Sequence, residues 1–107
     1  MKQYEGRRTG QGVAVTVNGV PLNPRLDLRN HSPTGLEWGY CGSGPAQLAL
    51  AILADHLGDD EPALNLYQRF KWQVVAELPH KRWMFTSADI DQAVQRIRDQ
   101  ELEGVVS

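Results

Sequence analysis

Between Ala46 and Leu57 the chain carries only three polar residues, Gln47, Asp55 and His56. Every other residue in that run is Ala, Leu or Ile. Pro45 stands where a proline opens a helix at no hydrogen-bonding cost, and Gly58 stands where a glycine closes one. A helix that is apolar on nearly all sides is buried on nearly all sides. In a chain of 107 residues this leaves little freedom, because one small core must be built around that helix. The spacing therefore predicts a helix over 45–57 at the centre of a single domain spanning 1–107.

The segment leading into the helix is its opposite in character. His31 to Tyr40 reads HSPTGLEWGY, and Cys41-Gly42-Ser43-Gly44 follows. A loop this rich in glycine is entropically costly to order. Tight packing or a ligand at the helix start must compensate. Ser43 or Gly44 is expected to cap the helix. An irregular stretch of ~20 residues, here about 23–43, is unusual inside a compact domain and is often functional.

The rest of the chain supplies the walls of the core. Val13-Ala14-Val15-Thr16-Val17 is β-branched, and Asn18-Gly19 with Val20-Pro21-Leu22 follows it. An Asn-Gly pair between such runs signals a hairpin, since both turn residues need positive φ. Pro21 makes the second strand short or an edge. Tyr4 to Arg8 is read as a further strand. Asp59-Asp60-Glu61-Pro62 should start a second helix, with acidic residues at its positive end. Its core face is Ala63, Tyr67, Phe70, Val74 and Leu78, and Pro79 is expected to end it. Trp83 to Thr86 reads as a short strand. Thr86 and Asp89 then form a near capping box for a third helix with the apolar stripe Ile90, Ala93, Val94 and Ile97. Residues 104–107 should fray. The fold class is α+β: an N-terminal β-hairpin, a long Gly-rich loop, a buried central helix, a second helix, a short strand and a third helix.

A formal net charge of −2 argues against general nucleic-acid binding. No run of 18 or more apolar residues is present, so no membrane span is expected. The start MKQYEGRRTG has no apolar stretch behind its charges and does not read as a secretory signal. The single cysteine, Cys41, fits a reducing compartment, which makes the cytoplasm the expected location. Eight of the eleven basic residues are arginine, suited to bidentate pairing with carboxylate or phosphate.

Three places could carry chemistry or recognition. The first is Glu37-Trp38-Gly39-Tyr40, a carboxylate with two aromatics. It is either a contact surface, where Trp and Tyr concentrate binding energy, or the loop's own anchor in the core. The second is Trp72, which falls about 100° or more off the core face of its helix at ~100° per residue. An exposed Trp72 beside Arg69 and Lys71 would suit an interface. The third is Gly42-Ser43-Gly44, where free N–H groups and the helix dipole could cradle an anion. It matches neither the P-loop nor the dinucleotide fingerprint, and a tight capped turn is the favoured reading. His31, His56 and His80, spaced 25 and 24 apart, match no zinc pattern. Local backbone bonding is expected for His31, the helix dipole for His56 and an exposed loop for His80. No metal or cofactor is expected.

Tyr4-x-Gly6-x-Arg8, His31 to Tyr40, and Gly42-Ser43-Gly44-Pro45-Ala46-Gln47-Leu48-Ala49-Leu50-Ala51 resemble a family of small uncharacterised proteins found on bacterial plasmids, integrative elements and prophages. Related sequences usually show Phe at the position of Leu36 and Gly at that of Cys41, so the resemblance makes Cys41 a local replacement rather than a nucleophile. The mobile-element setting implies an accessory role such as inhibition of CRISPR or restriction systems. A shorter stretch, Ser43 to Ala49 through Asp55-His56-Leu57-Gly58, is similar to the nucleophile-bearing helix of bacteriocin-processing, papain-like peptidases. There a cysteine stands at the position of Ser43. That resemblance would make Ser43 a nucleophile and require a base such as His80 or His31.

The favoured expectation is binding without catalysis. Glu37, Trp38, Tyr40, Arg69 and Trp72 would contact a protein or ribonucleoprotein complex, with direct nucleic-acid binding disfavoured and the chain a monomer or homodimer. The alternative is a small hydrolase or nucleotide- or phosphate-binding domain working at Gly42, Ser43 and Gly44.

Overall fold

The structure is a computed structural model that describes the main chain of residues 2–32 and 35–106, and side chains through residue 101. Strands β1 (Gln3–Thr9), β2 (Gly12–Val17), β3 (Val20–Pro21) and β4 (Arg82–Thr86) form one antiparallel sheet in the order β3-β2-β1-β4. Helices α1 (Ser43–Leu57), α2 (Asp60–Gln73) and α3 (Ser87–Val106) complete an α+β fold. The Asn18-Gly19 hairpin forms as the sequence requires, with φ of 51° and 80° at the two turn residues. Proline limits β3 to two residues. Leu22 lies beyond it, although its N–H still reaches the Val15 carbonyl.

Alternation along the strands divides the sheet into two faces. Tyr4, Gly6, Val15 and Trp83 are buried on the helix side. Arg7, Ala14, Arg82 and Met84 are exposed on the other. Helix α1 lies in the core, buried without interruption from Gly44 to Ala54. The three polar residues of its Ala46–Leu57 run each fasten a different part of the chain to it. Gln47, fully buried, accepts from the His31 and Ser32 N–H groups at 2.9 and 3.3 Å and donates to the Pro24 carbonyl. Asp55 accepts from the Tyr4 hydroxyl at 2.6 Å and pairs with Lys2 at 3.1 Å. His56 Nε2 lies 2.6 Å from the Asp91 carboxylate on α3. Burial, and then the Asp55 carboxylate, push the Tyr4 hydroxyl well above its ordinary pKa. Leu50→Ala and Ile52→Ala, both at fully buried positions, should each cost about 2–5 kcal/mol. Denaturant titration checks this, and a loss below ~1 kcal/mol at both positions would contradict a close-packed α1.

Three local expectations are corrected. Neither Ser43 nor Gly44 caps α1. The cap is Gly42, in extended conformation and without a side-chain bond, and Ala46 N–H donates to its carbonyl. Gly44 is buried inside the first turn, where a side chain has no room, since a Cβ there would come within 2.6 Å of Glu37 Cβ. Helix α2 does not reach Leu78. It ends at Gln73, and a 3-10 turn follows over Val75–Glu77. The break turns Val75 fully inward, while Val74 and Leu78 are only half-buried. Leu66 joins the α2 core face, which the five-residue pattern omitted. The α2 start is as expected, with Asp59 accepting from the Glu61 N–H. Thr86 and Asp89 close a reciprocal box at the α3 start, Thr86 N–H to the Asp89 carboxylate and Asp89 N–H to the Thr86 hydroxyl. Of the stretch expected to fray, residues 104–106 are helical in the main chain, and Ser107 lies outside the described residues, as do Pro33 and Thr34 of the loop.

Candidate functional site

The inner face of β1 holds the loop to the body. Residues two apart share a face, so Tyr4, Gly6 and Arg8 point the same way. Each does a separate task. Tyr4 bonds α1 through Asp55. Gly6 lies under the Trp83 indole, and a Cβ there would stand 2.2 Å from Trp83 Nε1. Arg8 grips Glu37 with both terminal nitrogens, at 3.0 and 2.6 Å, and its Nε donates to the His80 carbonyl at 3.1 Å. The Arg8 guanidinium also lies 4.8 Å from the Trp38 ring centroid.

Trp38 is 1% exposed. Its indole N–H is shared between the Pro79 and His80 carbonyls at 3.0 and 2.9 Å, and its ring meets Trp83 edge-on at 5.6 Å. Of the two readings of this motif, Glu37 and Trp38 are therefore the loop's anchor and not its free surface. The Arg8 guanidinium holds the Glu37 carboxyl below the usual carboxylate range, against an opposing effect of partial burial. After Trp38 the chain turns outward. Gly39, at φ 87°, donates its N–H to the Val75 carbonyl. Tyr40 is 51% exposed, and Cys41 is also exposed.

Helix α2 presents the second candidate surface. Trp72 is 60% exposed, as its position off the core face requires. The Lys71 ammonium lies 5.1 Å from its ring centroid, and Arg69 pairs with Glu101 of α3 at 3.4 Å. The bond from Gly39 to Val75 ties the Tyr40 loop to the turn that follows Trp72 in the chain. The structure thus separates the five residues singled out from sequence. Tyr40, Arg69 and Trp72 face solvent, whereas Glu37 and Trp38 hold the loop.

At the start of α1 a cleft of about 510 Å³ is lined by Ser32, Leu36, Glu37, Tyr40, Ser43 and Gly44, among others. Ser43 is exposed in the first turn. No histidine lines the cleft. His31 Nε2 instead lies 2.7 Å from the Tyr67 hydroxyl, which corrects the expectation of a bond to nearby backbone. His56 lies in the last turn of α1, as expected, and also pairs with Asp91. His80 is exposed. The carboxylate in the cleft beside Ser43 and Gly44 is Glu37, already paired with Arg8, and Pro45 offers no N–H to an anion. Among the described residues no group of three or more His, Cys, Asp or Glu is placed to hold a metal ion. No described helix is long and apolar enough to cross a membrane.

Sequence reasoning missed the Arg8–Glu37 clasp and the close contact of Gly6 with Trp83. The signal was present in the two-residue spacing of Tyr4, Gly6 and Arg8 on a strand. Their targets, Asp55, Trp83 and Glu37, are distant in sequence and no local pattern names them.

The model of a family of unknown function, DUF6166, matches residues 4–96. No curated protein and no solved structure matches the chain.

Proposed function

We propose that this chain, which belongs to the family of unknown function DUF6166, is a binding protein without catalysis that docks on a protein or ribonucleoprotein of a bacterial defence system. The observation that carries the reading is Trp72, 60% exposed on α2 with Lys71 against its ring. A large aromatic side chain left in water beside cations is the residue type in which binding hot spots concentrate. Tyr40 and Arg69 are its companions on the solvent side. The resemblance to small proteins of plasmids, integrative elements and prophages supports the defence-system partner and a cytoplasmic site of action.

The cleft at Ser43 favours a second reading, a small hydrolase or phosphate-binding domain. It is less well supported. Hydrolysis at Ser43 needs a base whose pKa lies near neutrality, and the carboxylate at hand is lowered by Arg8 and stays ionised. A serine-directed covalent probe should leave Ser43 unmodified by mass spectrometry, and modification that Ser43→Ala removes would favour the hydrolase.

The direct test is expression in bacteria that carry an active CRISPR or restriction system. Plating of the targeted phage should be restored, and the immobilised chain should retain a component of that system. Failure of both across the systems tried would overturn the proposal.

A further inference from the structure

The two edges of the sheet differ. β3 is two residues long and ends on Pro21, so it offers another chain little to pair with. β4, at the opposite edge, runs for five residues without proline and carries Met84, 54% exposed. The direction of its free groups follows from the ladder. Arg8 N–H donates to the Lys81 carbonyl, and Ser87 N–H donates to the Lys2 carbonyl. Alternation along an antiparallel pair then turns the main-chain groups of Trp83 and Phe85 toward β1, and those of Arg82 and Met84 away from it. Thr86 N–H points outward by the same alternation and is taken by the Asp89 carboxylate. Among the described residues the main-chain groups of Arg82 and Met84 have no partner.

The charges along this edge are polarised. His80, Lys81 and Arg82, all exposed, stand at its start. Arg7 lies directly across from Arg82 on β1, and neither has an ion-pair partner among the described residues. Two like charges in register are unfavourable without a counter-charge. Asp89 and Asp91, exposed on the first turns of α3, stand at the other end.

We propose that a second copy of this chain pairs with this edge, β4 to β4, antiparallel about a two-fold axis at Met84. Such an interface is isologous, the same patch on both subunits. Met84 meets its own counterpart on the axis, and Arg82 stands opposite Thr86 of the second copy. The basic start of each edge then approaches the acidic start of α3 in the other copy. A parallel pairing would set base on base and acid on acid, so the charge pattern selects the antiparallel arrangement. The two sheets join into one of eight strands, with the Met84 main-chain groups of the two copies satisfying each other and the Arg82 N–H meeting the Thr86 carbonyl, while the Thr86 N–H stays with its own Asp89 carboxylate.

Sedimentation equilibrium of the full chain tests this, with circular dichroism to confirm folding. The mass should rise with concentration to twice the 12.0 kDa of one chain. Met84→Pro takes away an outward N–H and the Met84 side chain at an edge strand, where proline is tolerated, so it should leave the fold intact and abolish the dimer. Arg82→Glu relieves the clash with Arg7 within one copy but sets acid against Asp89 and Asp91 of the other. It should weaken the dimer by about tenfold or more. If Met84→Pro does not fold, Arg82→Glu decides alone. A wild-type monomer at every concentration, or a dimer that the folded variants leave intact, would overturn the proposal.

Discussion

Trp38→Ala is expected to destabilise the protein by about 3–5 kcal/mol, the range for truncating a buried tryptophan. Three losses combine in one substitution. The indole is 1% exposed, so its removal leaves a large void between the loop and Trp83. Its N–H no longer reaches the Pro79 and His80 carbonyls, and of the two only His80 keeps another donor, the Arg8 Nε. The Arg8 guanidinium loses the ring it lies over. Trp38→Phe keeps most of the apolar volume but not the N–H, and should cost less than half as much. Urea titrations of the two variants measure the difference. A loss below ~1 kcal/mol for Trp38→Ala would mean that the Glu37-Trp38 segment is a surface after all.

The architecture was legible where the signal is local. The α1 run, the Asn18-Gly19 turn, the α2 start at the acidic run Asp59-Asp60-Glu61 and the Thr86–Asp89 box are decided by residues a few positions apart, and all form. The misplaced boundaries share a cause. Ser43 and Gly44 look like caps by residue type, yet both lie inside the helix, with Gly44 packed against Glu37 and the cap at Gly42. Val74 and Leu78 continue a helical period, but the chain breaks after Gln73 and Val75 takes the inward position, its carbonyl accepting from Gly39. In both places a long-range contact overrides a local preference, which sequence spacing cannot register. The same holds at the candidate site. Trp72 was placed on the solvent side by its angle on the helix alone. Glu37 and Trp38 could not be assigned from sequence, since their partner Arg8 lies 29 positions from Glu37 and nothing in the loop names it.

Trp38 serves the structure and Trp72 is proposed to serve binding, so Trp72 is where the central claim is most exposed to test. Its ring contributes little to the core, so Trp72→Ala should leave the thermal midpoint nearly unchanged. In a complex its truncation should cost ~2 kcal/mol or more, the scale of a hot-spot aromatic. The measurement is a pair of titrations, wild type and Trp72→Ala, against the defence-system component captured by the immobilised chain, with the melting curve of each recorded alongside. The account predicts affinity weakened by roughly thirtyfold at unchanged stability. Unaltered affinity would remove α2 from the interface, and a variant that no longer folds would make Trp72 a core residue and contradict the surface assignment.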